Sequence, residues 1–169
     1  MTAIKNDTLR IYDELKSVDL TMVKERLVKQ EGYNSCKVDE MVNEYRKYIS
    51  MIISRRHRGE KRGMPICEEV DPVWHTHILF TQDYIRMCKQ FAGFYIHHQP
   101  MEVNEELISD YHEITLVEYE NNFGKRHEFW GTGKQVCRGV DGEGNCSNQC
   151  GEKFNPADVF SDTFFLQEA

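Results

Sequence analysis

The stretch VDPVWHTHILFTQDYIRMC, residues 70–88, gathers two histidines, a tryptophan, two aspartates and a cysteine into one short apolar segment. Imidazole, carboxylate and thiolate are the side chains that hold zinc-class ions. Imidazole and carboxylate are also the usual partners in proton transfer. The spacing decides which of these groups can act together. Asp71 followed by Pro72 reads as a helix start, because a carboxylate can cap free amides and proline fits the first turn at no hydrogen-bond cost. On that helix His75 and His77 point about 200° apart and cannot clasp one ion. Asp71 and His75, four residues apart, are neighbours that can share a metal or form a carboxylate–imidazole pair. His77 and Cys88 lie about 16 Å apart along the axis and cannot share an ion.

A four-ligand site drawn from this segment alone is therefore geometrically poor. The candidate metal ligands are Asp71 and His75 with help from Cys67 or from the distal Cys137, Cys146 and Cys150. Zinc is the candidate cofactor. Trp74, His77, Tyr84, Cys88 and His98 read as packing residues. We expect the chain after the helix to bring His97 and His98 toward Cys88 or Tyr84 rather than toward His75.

The last three cysteines are spaced by nine and four residues, which matches no standard zinc knuckle but allows three thiolates around one ion. A disulfide, a bridge to another chain and free thiols are alternative states. Asp141, Glu143, Asn145 and Glu152 fall in a calcium-loop register, but Cys146 stands where that loop requires glycine. The sequence contains no GxSxG, no phosphate-binding glycine loop, no HExxH and no CxxC pair.

The elements that must position these residues are mainly helical. In CKVDEMVNEYRKYISMIISR, Met41, Val42, Tyr45, Ile49, Ile52 and Ile53 recur at spacings of three and four, which predicts a helix with one buried stripe. Two shorter helices precede it, the second opened by Asp19 and closed by Gly32. The helix from Asp71 is expected to continue to about Phe91 and stop at Gly93, and another spans roughly 104–122 and stops at Gly124. From Gly131 the texture changes: the last 39 residues hold six of the eleven glycines and three of the six cysteines, with little periodicity. We therefore expect a compact helical bundle over residues 1–130 and a loop-rich, cysteine-containing C-terminal extension over 131–169.

Composition limits the function. The chain has 169 residues, 40% hydrophobic and 29% charged, and a net charge of −7, which suits a globular protein and argues against a generic nucleic-acid binder. The basic run RRHRGEKR (55–62) reads as a solvated loop. No apolar run approaches the roughly 18 residues of a membrane span, and the N-terminus shows no secretory pattern, so synthesis in the cytoplasm is expected.

EYRKYISMII, then EEVDPVWHTHILFTQDYIRMCKQFAGFYIHHQP, then YENNFGKRHEFW resembles the glycine-rich domain-containing protein-like family over about residues 38–130. Its pattern of Asp, Trp-His-x-His, Tyr, Cys, Gly and His-x-Pro maps onto Asp71, Trp74, His75, His77, Tyr84, Cys88, Gly93, His98 and Pro100. The resemblance implies a helical fold and no particular reaction. Two functions follow as expectations. The first is a non-enzymatic interaction module whose tail contacts protein partners or supports self-assembly, for instance within a virion or phage tail. The second is a zinc-dependent, hydrolase-like enzyme built on Asp71 and His75.

Overall fold

Asn34 opens the longest helix by accepting the Cys36 amide at 2.9 Å and the Lys37 amide at 3.4 Å, which satisfies two of the donors that a helix start leaves free. This helix is one of six in a computed structural model that describes residues 2–100, 105–131 and 139–142, with side chains over 7–98 and 112–131. They are α1 (Thr2–Leu15), α2 (Thr21–Lys29), α3 (Ser35–His57), α4 (Asp71–Leu79), α5 (Thr81–Met87) and α6 (Glu105–Phe123). A π-helical turn, Cys88–Ala92, follows α5, and a 3-10 turn, Glu128–Trp130, follows α6. The strands are β1 (Pro65–Ile66), β2 (His97–Pro100) and β3 (Gly139–Gly142).

The fold is mainly helical, as the periodicity predicts. All six stripe residues of α3 are buried, and so are Val38, Tyr48 and Met51, so the helix is covered well beyond one face. It is the hub: α1, α2, α4 and α6 all pack on it. Asp19 accepts the Thr21 amide at 2.9 Å and so assists the start of α2, although Leu20 holds the cap position. No described helix is long and apolar enough to cross a membrane.

The strands form one antiparallel sheet in the order β1-β3-β2. β3 comes from the segment expected to be a loop-rich extension, yet it holds the central place, with Ile66 opposite Gly139 and His98 opposite Asp141. The backbone ladder thus crosses the boundary expected at residue 131. Residues 132–138 and 143–169 lie outside the described residues, and with them Cys137, Cys146, Cys150 and most of the calcium-like register.

The basic run is a solvated loop only in part: Lys61 and Arg62 are exposed, but Arg55 and Arg58 are not free. Arg55, only 8% exposed, stands 2.8 Å from Glu60 and 3.5 Å from Glu118 of α6. Arg58 reaches the same two carboxylates at 2.9 Å each. These pairs join the end of α3 to α6 and leave Arg55 and Arg58 engaged rather than offered to phosphate.

A buried carboxylate locks the other side of α3. Glu44, 1% exposed, accepts from the Tyr119 hydroxyl at 2.9 Å, the Trp130 indole at 2.8 Å and Lys47 Nζ at 2.7 Å. With its oxygens so occupied, it ties α3 to α6 and to the closing 3-10 turn.

Candidate metal centre

The helix that was expected to run from Asp71 to Phe91 is broken. Phe80, with ψ 65°, ends α4, and α5 starts at Thr81. The π turn then ends at Gly93, whose φ of 78° reverses the chain. The returning chain meets Tyr84 and Cys88 at Ile96, as expected, and because of the fold-back β2 then runs on to the N-terminal end of α4. His98 therefore lands on Asp71 and His75, a correction to the expected placement. A straight helix over those 21 residues would be about 30 Å long and would hold His98 far from Asp71.

Asp71 is not the cap either. Val70 occupies the cap position of α4 and makes no side-chain cap bond; Asp71 and Pro72 sit in the first turn. The Asp71 carboxylate is thereby free for the site, while its backbone amide donates to the Cys67 carbonyl at 3.0 Å. Its location at the positive end of a helix also favours the anion.

The carboxylate is divided between two imidazoles. His98 Nε2 donates to Oδ1 at 2.7 Å, and His75 Nδ1 stands 3.2 Å from Oδ2. The two rings lie 4.4 Å apart, tilted by 32°. Asp71 and His98 are buried, whereas the His75 side chain is 55% exposed. Burial alone would push the Asp71 carboxyl up, but the two imidazoles outweigh it and hold it down at about 2. His75 shifts the other way: its bond to Asp71 raises it against partial burial, with help from the Glu31 charge.

One ligand atom from each of Asp71, His75 and His98 lies within 4.8 Å of the others. An ion with bonds of about 2.0–2.2 Å needs ligand atoms roughly 3.3–3.5 Å apart in a tetrahedral arrangement, so a small retreat of His98 from Asp71 admits one. The donor set, two imidazoles and a carboxylate, is one that zinc and other first-row divalent ions accept. No fourth His, Cys, Asp or Glu joins the group among the described residues. Three protein ligands at a partly exposed position leave coordination sites for water or substrate.

The remaining motif residues support this group. The Trp74 ring lies 4.3 Å from that of His98, and its indole donates to the Tyr84 hydroxyl at 2.9 Å. That hydroxyl in turn donates to the carbonyl of Ile96, two residues before His98. Trp74 and Tyr84 therefore fix the strand that delivers the second imidazole. Cys88 is buried beside the same turn, and burial pushes its thiol up to about 11, so it is a packing residue in its protonated form. Cys67, fully buried in the core, is outside the converging group. His77 is buried on the opposite side of α4 from exposed His75 and belongs to no metal group among the described residues. His98 is the member of the converging group that sequence reasoning assigned to packing. No local signal marked it: the break falls at Phe80, neither glycine nor proline, which makes no side-chain cap bond.

A profile of the family described as UCP032817-like matches residues 12–117, a span that contains Asp71, His75 and His98. No curated protein and no solved structure matches the chain.

Proposed function

From a chain that belongs to the UCP032817-like family through a match covering more than half its length, we propose a metal-dependent protein whose centre is Asp71, His75 and His98. The observation that carries this reading is the convergence of one carboxylate and two imidazoles on a single point at the protein surface. When bound, a zinc-class ion would supply Lewis acidity and an acidified water, the basis of hydrolytic chemistry. Asp71 and His98 would provide the less exposed part of the site, with Trp74 and Tyr84 positioning His98. His75 would be the solvent-facing ligand.

The alternative, an interaction module working through the cysteine-containing tail, would place function in residues 132–138 and 143–169. The three convergent ligands of the helical body favour the metal reading. Calorimetric titration with zinc tests it. Wild type is expected to bind one ion with an affinity that falls at least a hundredfold in His75→Ala, while the metal-free variant melts within a few degrees of wild type because His75 is exposed. Equal zinc binding by wild type, His75→Ala and Asp71→Asn would sink the proposal.

A further inference from the structure

On the side of α4 opposite the metal centre, two buried donors share one void. His77 is 1% exposed, and its Nδ1 stands 2.9 Å from the Tyr45 hydroxyl. That hydroxyl has no other acceptor among the described residues, so it donates to Nδ1 and the ring proton resides on Nε2. The opposite tautomer would strand both the hydroxyl proton and the Nε2 lone pair, whereas this one strands a single N–H. His77 Nε2 meets no protein acceptor, and neither does Arg46 Nε. Arg46 gives its Nη2 to the Val18 carbonyl at 2.9 Å, and no carboxylate among the described residues forms an ion pair with it. One N–H of a half-buried guanidinium and one of a buried imidazole thus lie out of solvent and unused, which native proteins seldom tolerate without a ligand or water.

Both side chains line a void of about 10 Å³ walled by Leu15, Leu20 and Ile49. It has room for roughly one oxygen atom. Val18, His77 and Met87 also line an adjoining cleft of about 330 Å³, at the lower end of the size range of small-molecule sites. Met22, Phe80 and Phe91 supply the apolar part of a lining that Ser17, Asp83 and Gln90 make polar elsewhere. Asp19, Asp83 and Arg86 stand among its lining residues; with Arg46 the charges balance, so an anion is not repelled. Met87, unbranched and adaptable, is the part of the shared wall best able to move aside.

We propose that void and cleft form one binding site for a small carboxylate with an apolar tail. One carboxylate oxygen accepts from His77 Nε2–H and Arg46 Nε–H, and the tail lies along Met22, Phe80, Met87 and Phe91. Two unused N–H donors, one of them on a guanidinium, favour an anionic oxygen over a neutral one. The site is independent of the metal centre.

Octanoate and 1-octanol, which share a tail and differ in the head, test it by calorimetry on the full chain in the presence of a chelator. Octanoate is expected to bind one site saturably and at least tenfold more tightly than 1-octanol. Arg46→Met should weaken octanoate at least tenfold and leave 1-octanol unchanged. Met22→Asp, at a position 58% exposed, should weaken both without disturbing the core, which keeps the test readable if Arg46→Met does not fold. His75→Ala should bind octanoate as wild type does. Equal affinity for the two probes, no saturable octanoate binding, or a void holding only a water in crystals soaked with octanoate would overturn the proposal.

Discussion

At the scale of single residues, HTH is two unrelated devices. His75 faces solvent and shares a carboxylate with His98; His77 faces the core and shares a hydrogen bond with Tyr45. That divergence is legible from the sequence, because a helix sets successive odd positions on opposite sides. The partnership with His98 is not, because it depends on two bends in the intervening 22 residues. Cys88 gives a prediction at this scale. Its thiol sits at about 11 in the folded chain against an ordinary 9.0. A raised acid loses stabilisation as pH climbs: the contribution is complete below pH 9 and disappears as pH rises from 9 to 11. Two units correspond to roughly 2–3 kcal/mol. Urea melts of wild type and Cys88→Ala at pH 8 and pH 10.5 should show wild type losing about 2 kcal/mol more than the variant. Parallel losses would show that the thiol stays dry for no energetic reason.

At the scale of elements, what was legible followed from periodicity and what was not followed from breaks in it. The α3 stripe and the stop of α6 before Gly124 both emerge as expected. The division of one helix into α4, α5 and a π turn escapes because Phe80 is neither glycine nor proline, and tertiary packing, not local propensity, sets its backbone. The β3 strand escapes for a related reason: GVDG has weak strand preference and is defined by pairing with β1 and β2. Gly93 is the element-scale test. Its φ of 78° lies in the left-handed region, with open space where a Cβ would stand. Gly93→Ala should therefore cost about 1–2 kcal/mol from backbone strain alone. It should also loosen zinc binding, since the turn delivers β2 to the site. A variant as stable as wild type would mean that the reversal relaxes freely.

At the scale of the whole molecule, several of the polar contacts that hold distant segments together involve carboxylates buried with their partners. Glu44 joins α3 to Tyr119 and Trp130, positions 75 and 86 residues away. Glu44→Ala leaves the Tyr119 hydroxyl and the Trp130 indole without their acceptor and Lys47 without its carboxylate, and should destabilise the fold by about 3–5 kcal/mol in urea melts. A loss under 1 kcal/mol would show that the network is ornamental. Nothing in the sequence flags Glu44, since an acid inside a helical stripe ordinarily faces solvent; only the approach of α6 and Trp130 explains its burial. The metal reading also belongs to this scale, because it needs α4 and β2 brought together by everything between them, and it competes with the tail cysteines for the same ion. X-ray absorption of the zinc-loaded full chain separates the two most directly. We expect a shell of nitrogen and oxygen at about 2.0–2.2 Å with the multiple scattering of two imidazoles and no sulfur; a sulfur shell at about 2.3 Å would assign the ion to cysteine and contradict the Asp71, His75 and His98 centre.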